Sequence, residues 1–264
     1  MIKHLVIISL LAFGILVACI YLRQRHLIYF PLHDMPKPID FQASDMGVIA
    51  LKTQDGLQLS AWYKPAVKPH PTVLYLHGNA GHIGYRIPLA RQFMNEGLGV
   101  LLLEYRGYGG NAGYPSEQGL YMDARAAMHF LKTQGIRPEK VVLYGESLGT
   151  GVATQLASEY QVCSMILQSP FTSLTNLARY HYPWIFIKPW DRFNSLKRIK
   201  SIHTPLLIIH GERDQIVPHQ QGLALYDAAN QPKKIYLLPQ RGHNDLWGES
   251  TFSEEVIRFI KEHC

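Results

Sequence analysis

The sequence predicts an α/β fold built on a mostly parallel, eight-stranded sheet with helices on both faces. Three observations lead there. Eight short apolar runs alternate along most of the chain with stretches of helical periodicity, the pattern of strands buried on both sides. One run, Val141 to Gly145, leads into Gly145-Glu146-Ser147-Leu148-Gly149 and then into a helix from Thr150 to Tyr160, so a G-x-S-x-G motif stands in a strand–turn–helix setting. Ser147, Asp214 and His243 each follow a predicted strand, in that order along the chain.

Composition fits one globular domain with a short appendage: 264 residues, 47% hydrophobic and 17% charged. The net charge of +6 is mildly basic. Without a Lys/Arg run or a nucleic-acid motif it points away from nucleic acid and leaves attraction to anionic lipid headgroups as the softer possibility. Cys19, Cys163 and Cys264 form no CxxC pair and no disulfide framework, and Cys163 opens an apolar strand as a core residue. No spacing of His, Cys and Asp matches a metal site, so neither metal nor cofactor is expected.

Residues 1–26 stand apart as an anchor or signal, with the hydrolase-type domain expected over 27–264. Leu5 to Leu22 is uncharged and mostly apolar. As a helix it is about 27 Å long against a bilayer core of about 30 Å. A single-pass anchor is the leading reading. A secretory signal and a lipoprotein acylated at Cys19, after Leu16-Val17-Ala18, are the rivals. The anchor is favoured because the apolar run continues past Cys19 and no flexible tether follows. Arg23 and Arg25 lean toward a cytoplasmic domain.

Leu27 to Asp45, with three prolines, is an extended connector. Val48–Leu51 and Leu57–Tyr63 are strands around the turn at Asp55-Gly56. Val73 to His77 is the next strand, and the loop His77-Gly78-Asn79-Ala80-Gly81 after it is where one oxyanion donor is expected. The N–H of Asn79 is preferred there, with Ala80 second, and the residue after the serine, Leu148, supplies the other N–H. His77 is read as a structural hydrogen-bonding group. A helix from Tyr85 to Glu96 and a strand from Val100 to Glu104 follow. The loop YRGYGGNAGYPSE carries four glycines and implies unusual φ angles. Ser116 caps a helix reaching Lys132.

Past the G-x-S-x-G turn, Met165–Gln168 is a strand. The pattern then breaks down from Phe171 to Thr204, where Tyr180, Tyr182, Trp184, Phe186, Trp190 and Phe193 crowd a proline-bearing segment. This is a candidate lid over a binding pocket, or rings packing the insert onto its own domain, and the two readings overlap. Leu206–His210 and Lys234–Leu238 are the last strands, with helices at His219–Ala229 and Phe252–Glu262.

The candidate chemistry is nucleophilic. Ser147 on its sharp turn is the nucleophile, with glycines where side chains would collide. His243, in the loop between the last strand and last helix, is the base among thirteen histidines. Asp214 orients it. Asp214 is preferred to Glu212 because Ile216-Val217-Pro218 would hold its loop down, and Asp245 is the reserve candidate.

The chain resembles the membrane-anchored serine α/β-hydrolases related to bud-emergence proteins and to abhydrolase-domain proteins thirteen and seventeen. The matching stretches are RHLIYFP, YLHGNAG, EYRGYGG, YGESLGTGVA, QSPFTSL, DRFNSLKRI, PLLIIHGERDQIVP and RGHND, which run over nearly the whole chain. The resemblance implies a Ser147–Asp214–His243 triad, with Asn79 and Leu148 N–H groups as the oxyanion hole. It does not give the substrate, since relatives include thioesterases acting on acylated proteins and members with no known substrate. A carboxylic ester or thioester is the expected substrate class. Asn111-Ala112 departs from the family's usual Ser in the glycine loop. Two alternatives stay open: a peptidase of prolyl-oligopeptidase type, weakened by the lack of an N-terminal propeller, and a non-catalytic membrane scaffold, weakened because all three triad positions are kept.

Overall fold

The computed structural model describes residues 2–184 and 187–264. Its sheet has eight strands: β1 (Gly47–Lys52), β2 (Gln58–Lys64), β3 (Thr72–Leu76), β4 (Gly99–Leu103), β5 (Val141–Glu146), β6 (Ser164–Gln168), β7 (Leu206–Gly211) and β8 (Lys233–Leu238). The spatial order is β8-β7-β6-β5-β3-β4-β2-β1. The hairpin β1–β2 and the β2–β4 pair are antiparallel, and all other pairs are parallel. The expected α/β-hydrolase sheet is therefore present.

The continuous apolar runs are explained by burial on both faces. Alternate residues of β3, β4 and β5 point to opposite sides. Leu74, Leu101 and Leu143 join one core with Leu120, Val152 and Leu225, while Val73, Val100 and Val142 join the other with Phe93, Val256 and Phe259. The first core is covered by α3 (Glu117–Thr133), α4 (Leu148–Glu159) and α7 (His219–Ala228), the second by α2 (Ile87–Asn95) and α8 (Ser250–His263). α1 (Ile2–Leu22) lies ahead of the sheet, and the insert carries α5 (Leu174–His181) and α6 (Ser195–Ile199).

Chain order reverses between β3 and β5, which are neighbours although β4 lies between them in sequence. The carboxyl ends of strands at such a switch point are where ligands bind in open α/β sheets. The loops bearing Asn79 and Ser147 leave from these two strands.

Four details differ from the sequence reading. The helix expected from Tyr85 begins as a 3-10 turn, Ile83–Arg86, and becomes α-helical at Ile87. α4 starts at Leu148 rather than Thr150, because the turn after β5 is only one residue wide. Cys163 is buried as expected but is paired with Cys264 in a disulfide, a pairing across 101 residues that no local spacing announces. Within the insert the aromatics divide. Phe193 is fully buried and packs on Phe171 and Tyr121, whereas Tyr180, Tyr182, Trp184 and Trp190 are between 44% and 61% exposed. Phe186 lies outside the described residues.

α1 is a 21-residue helix, long and apolar enough to cross a membrane, and its apolar side chains are exposed around the helix. By length and composition it fits either an anchor or a signal sequence.

Candidate active site

Ser147 occupies the one-residue turn between β5 and α4 with φ +49° and ψ −112°. That left-handed conformation is costly for a residue with a side chain and persists only where its surroundings over-determine it. Here they do. The Ser147 N–H donates to the Gln168 carbonyl at the end of β6 (2.9 Å), and its carbonyl accepts from Thr150 N (2.9 Å). The flanking glycines are sterically required. A Cβ on Gly149 would stand 1.9 Å from the Leu76 carbonyl oxygen, and one on Gly145 2.8 Å from that of Gly149. The first turn of α4 thus rests directly on the end of β3.

Asp214 lies in the loop after β7. Its Oδ1 accepts the N–H groups of Ile216 (2.9 Å) and Val217 (2.7 Å); of the apolar segment expected to hold the loop down, Val217 is buried and Ile216 is exposed. Its Oδ2 lies 2.6 Å from His243 Nδ1. The other imidazole nitrogen, Nε2, lies 2.9 Å from Ser147 Oγ. Because a carboxylate only accepts, Nδ1 carries the proton, and Nε2 is left free to accept the serine hydroxyl. Glu212 is exposed, and Asp245 accepts from Gly242 N (2.6 Å).

Burial by itself would raise the Asp214 pKa. The hydrogen bonds from His210 and His243 and the backbone N–H of Val217 outweigh it and hold the carboxyl well below the usual range. The sequence reading missed His210. It is fully buried at the end of β7, with Nε2 2.8 Å from the Val217 carbonyl and 3.2 Å from Asp214 Oδ2. Both partners are acceptors, so Nε2–H is the donor and His210 braces the aspartate loop from below. A histidine ending an otherwise apolar strand, four residues ahead of the acid, was the available signal.

Asn79 uses its side chain and carbonyl structurally. Nδ2 donates to the Ile28 carbonyl (2.8 Å), while the Asn79 carbonyl accepts from Phe30 N and the Tyr108 hydroxyl, each at 2.8 Å. Among the described residues, the N–H groups of Asn79 and Leu148 have no protein acceptor. Leu148 is the first residue of α4, where N–H groups are free and the helix dipole favours negative charge. His77 is buried, with Nδ1 2.7 Å from the Gly78 carbonyl and Nε2 3.2 Å from Glu104 Oε1 without hydrogen-bond geometry. The glycine loop does adopt left-handed φ at Gly107, Gly109, Gly110 and Gly113. Asn111 pins it by accepting from Ser60 N (2.7 Å) and donating to the Glu104 carbonyl (3.0 Å).

A second element unseen in the sequence is an ion pair beneath the turn. Arg86 donates through Nη2 to Glu146 Oε1 (2.7 Å) and through Nε to Glu146 Oε2 (3.0 Å), while the Tyr75 hydroxyl donates to Oε2 (2.8 Å). Arg86 Nη1 reaches the carbonyls of Ala80 (3.1 Å) and His82 (3.3 Å). One guanidinium therefore joins the loop after Asn79 to the residue before Ser147. Burial would raise the Glu146 pKa, but the Arg86 charge and hydrogen bonds lower it instead. Arg86→Met leaves that carboxylate buried and unpaired and is expected to lower unfolding free energy by ~3–5 kcal/mol in a denaturant titration. An unchanged midpoint would show that water readily replaces the arginine.

A sheet of this topology with a serine held on such a turn defines a serine hydrolase of the α/β-hydrolase fold. Comparison with known proteins agrees. The family described as serine aminopeptidase, S33, matches residues 67–194. Protein bem46 of Schizosaccharomyces pombe is 31% identical, the match spanning 97% of this chain and 90% of the relative. An uncharacterized protein of Mycobacterium tuberculosis is 41% identical over 97% of this chain and 93% of its own. The chain belongs to the bem46 family of serine hydrolases. Among solved structures, an esterase of Pyrococcus furiosus superposes with a TM-score of 0.74 at 22% identity, covering 89% of this chain and 99% of its own. An acetyl xylan esterase from Paenibacillus sp. R4 does so with a TM-score of 0.68 at 18% identity, covering 92% and 99%. These last two share the fold.

Proposed function

We propose that the chain hydrolyses a carboxylic ester or thioester through an acyl-enzyme on Ser147. The observation carrying this reading is the continuous relay from Ser147 Oγ to His243 Nε2 and from His243 Nδ1 to Asp214 Oδ2. Ser147 Oγ attacks the acyl carbon as His243 takes its proton. The tetrahedral oxyanion is held by the N–H groups of Asn79 and Leu148, and the alcohol or thiol leaves with the proton from His243. A water activated by the same imidazole then releases the acid. Asp214 fixes the tautomer and stabilises the imidazolium.

The family description favours peptide bonds as a second substrate class. A panel of p-nitrophenyl esters, acyl-CoA thioesters and aminoacyl p-nitroanilides separates the two. Turnover of esters or thioesters is expected, and turnover confined to anilides would replace this reading with the peptidase. The panel suits residues 23–264 better than 27–264, since Gln24 and Arg25 hold the insert.

We also propose that α1 is a single-pass anchor on the hydrolase domain. The full-length protein extracted from membranes should then retain Met1. An N-terminus at an acylated Cys19 would replace the anchor with the lipoprotein.

A further inference from the structure

The base of α1 is built into the insert. Arg25 Nε pairs with Asp191 Oδ2 (3.0 Å), the Tyr29 hydroxyl donates to the same oxygen (3.0 Å), and Trp190 N donates to Gln24 Oε1 (2.7 Å). Tyr21 meets Trp190 edge-on with ring centroids 5.3 Å apart. An anchor serving only as a tether needs none of these contacts.

Above this joint α1 and α5 line an open groove of about 440 Å³. That lies within the ~300–1,000 Å³ of ligand pockets. One wall is a single face of α1, formed by Phe13, Val17, Ile20 and Tyr21 at helical spacing. The opposite wall is Leu174, Leu177 and Ala178 of α5. From Phe13 to Tyr21 the groove runs about 12 Å along the α1 axis.

Two of its polar lining residues are already engaged. Gln24 donates to the Tyr21 carbonyl (2.7 Å) and accepts from Trp190, and His181 Nε2 lies 2.8 Å from the Ile216 carbonyl. The groove therefore offers a guest apolar contact and little hydrogen bonding. It is also tied to the site on both sides. His181 holds Ile216, whose N–H binds Asp214, and the carbonyl of Ile28, another lining residue, holds the Asn79 side chain.

We propose that this groove, lined by neither Ser147 nor His243, takes the acyl chain of a membrane lipid ester entering sideways from the bilayer, with the ester end extending past the groove to Ser147. The occupant follows from the wall. The α1 face that closes the groove belongs to a helix with apolar side chains exposed along its length; with α1 as the anchor proposed above, the bilayer around this helix is continuous with the groove. The inference rests on the reading of Ser147 as nucleophile. The acyl group passes to Ser147 Oγ, the glycerol hydroxyl leaves with the proton from His243, and water then releases the fatty acid.

Binding is tested apart from hydrolysis with full-length Ser147→Ala protein in phosphatidylcholine vesicles. The probe is a phosphatidylcholine carrying a diazirine in one acyl chain, with adducts located by peptide mapping after irradiation. Contact with bulk lipid labels α1 alone, whereas an occupied groove also labels residues 174–182. Ala178→Trp fills the groove and should lower the α5 adducts by about tenfold or more. Adducts confined to α1 overturn the proposal, as do α5 adducts undiminished in a folded Ala178→Trp protein. Neither result touches the nucleophile, whose own failure would show as wild-type protein that no fluorophosphonate labels.

Discussion

Ser147→Ala is expected to lower kcat on any turned-over ester by about 10⁴-fold or more, with the fold intact. Among the described residues, the substitution removes the only side-chain atom hydrogen-bonded to His243 Nε2, and with it the proposed attacking oxygen. It leaves the turn's backbone bonds to Gln168 and Thr150 in place. Alanine is strained at φ +49° much as serine is, so stability should change little. Some rate above the uncatalysed one should remain, because the free N–H groups of Asn79 and Leu148 can still polarise a carbonyl. Stopped-flow or steady-state ester kinetics read the loss. A variant with more than a tenth of wild-type kcat would mean that another group attacks.

Asp214→Asn should cost about 10⁴-fold in kcat, and Glu212→Gln should leave it within about twofold. An amide in place of the carboxylate can donate to His243 Nδ1, which moves the imidazole proton to Nε2. That nitrogen then cannot take the Ser147 proton. The imidazolium formed during attack also loses its counter-charge. Glu212 is exposed and its side chain has no hydrogen bond to the relay. Equal losses in the two variants, both folded, would leave the acid to another residue. Asp245 is poorly placed for it, because its Oδ1 already takes the Gly242 N–H.

The sheet was legible because strands buried on both faces are written as unbroken apolar runs. β3 (TVLYL) and β4 (GVLLL) show no alternation of polar and apolar residues to mark a solvent side, and even Thr72 is buried. The loop positions of Ser147, Asp214 and His243 followed from those runs, since a parallel sheet gathers its strand ends along one edge. Side-chain pairing was another matter. Nothing local distinguishes Arg86 or Glu146 from surface charges, and only their meeting across 60 residues makes them a buried pair. His210 was hidden inside the run it terminates. Phe193 and Trp190 are three residues apart and look alike in sequence, yet one fills the space over Gly151 and the other leans on Tyr21. The joint between Arg25 and Asp191 spans 166 residues, which is why the boundary after residue 26 cuts through it.

The central claim is that one serine carries the acyl group. It is tested most directly by treating the full-length wild-type protein with a fluorophosphonate and locating the phosphonyl adduct by peptide mass spectrometry. A single adduct on Ser147, absent from Ser147→Ala, is the predicted result. An adduct on a different residue, or labelling that survives the substitution unchanged, would contradict it.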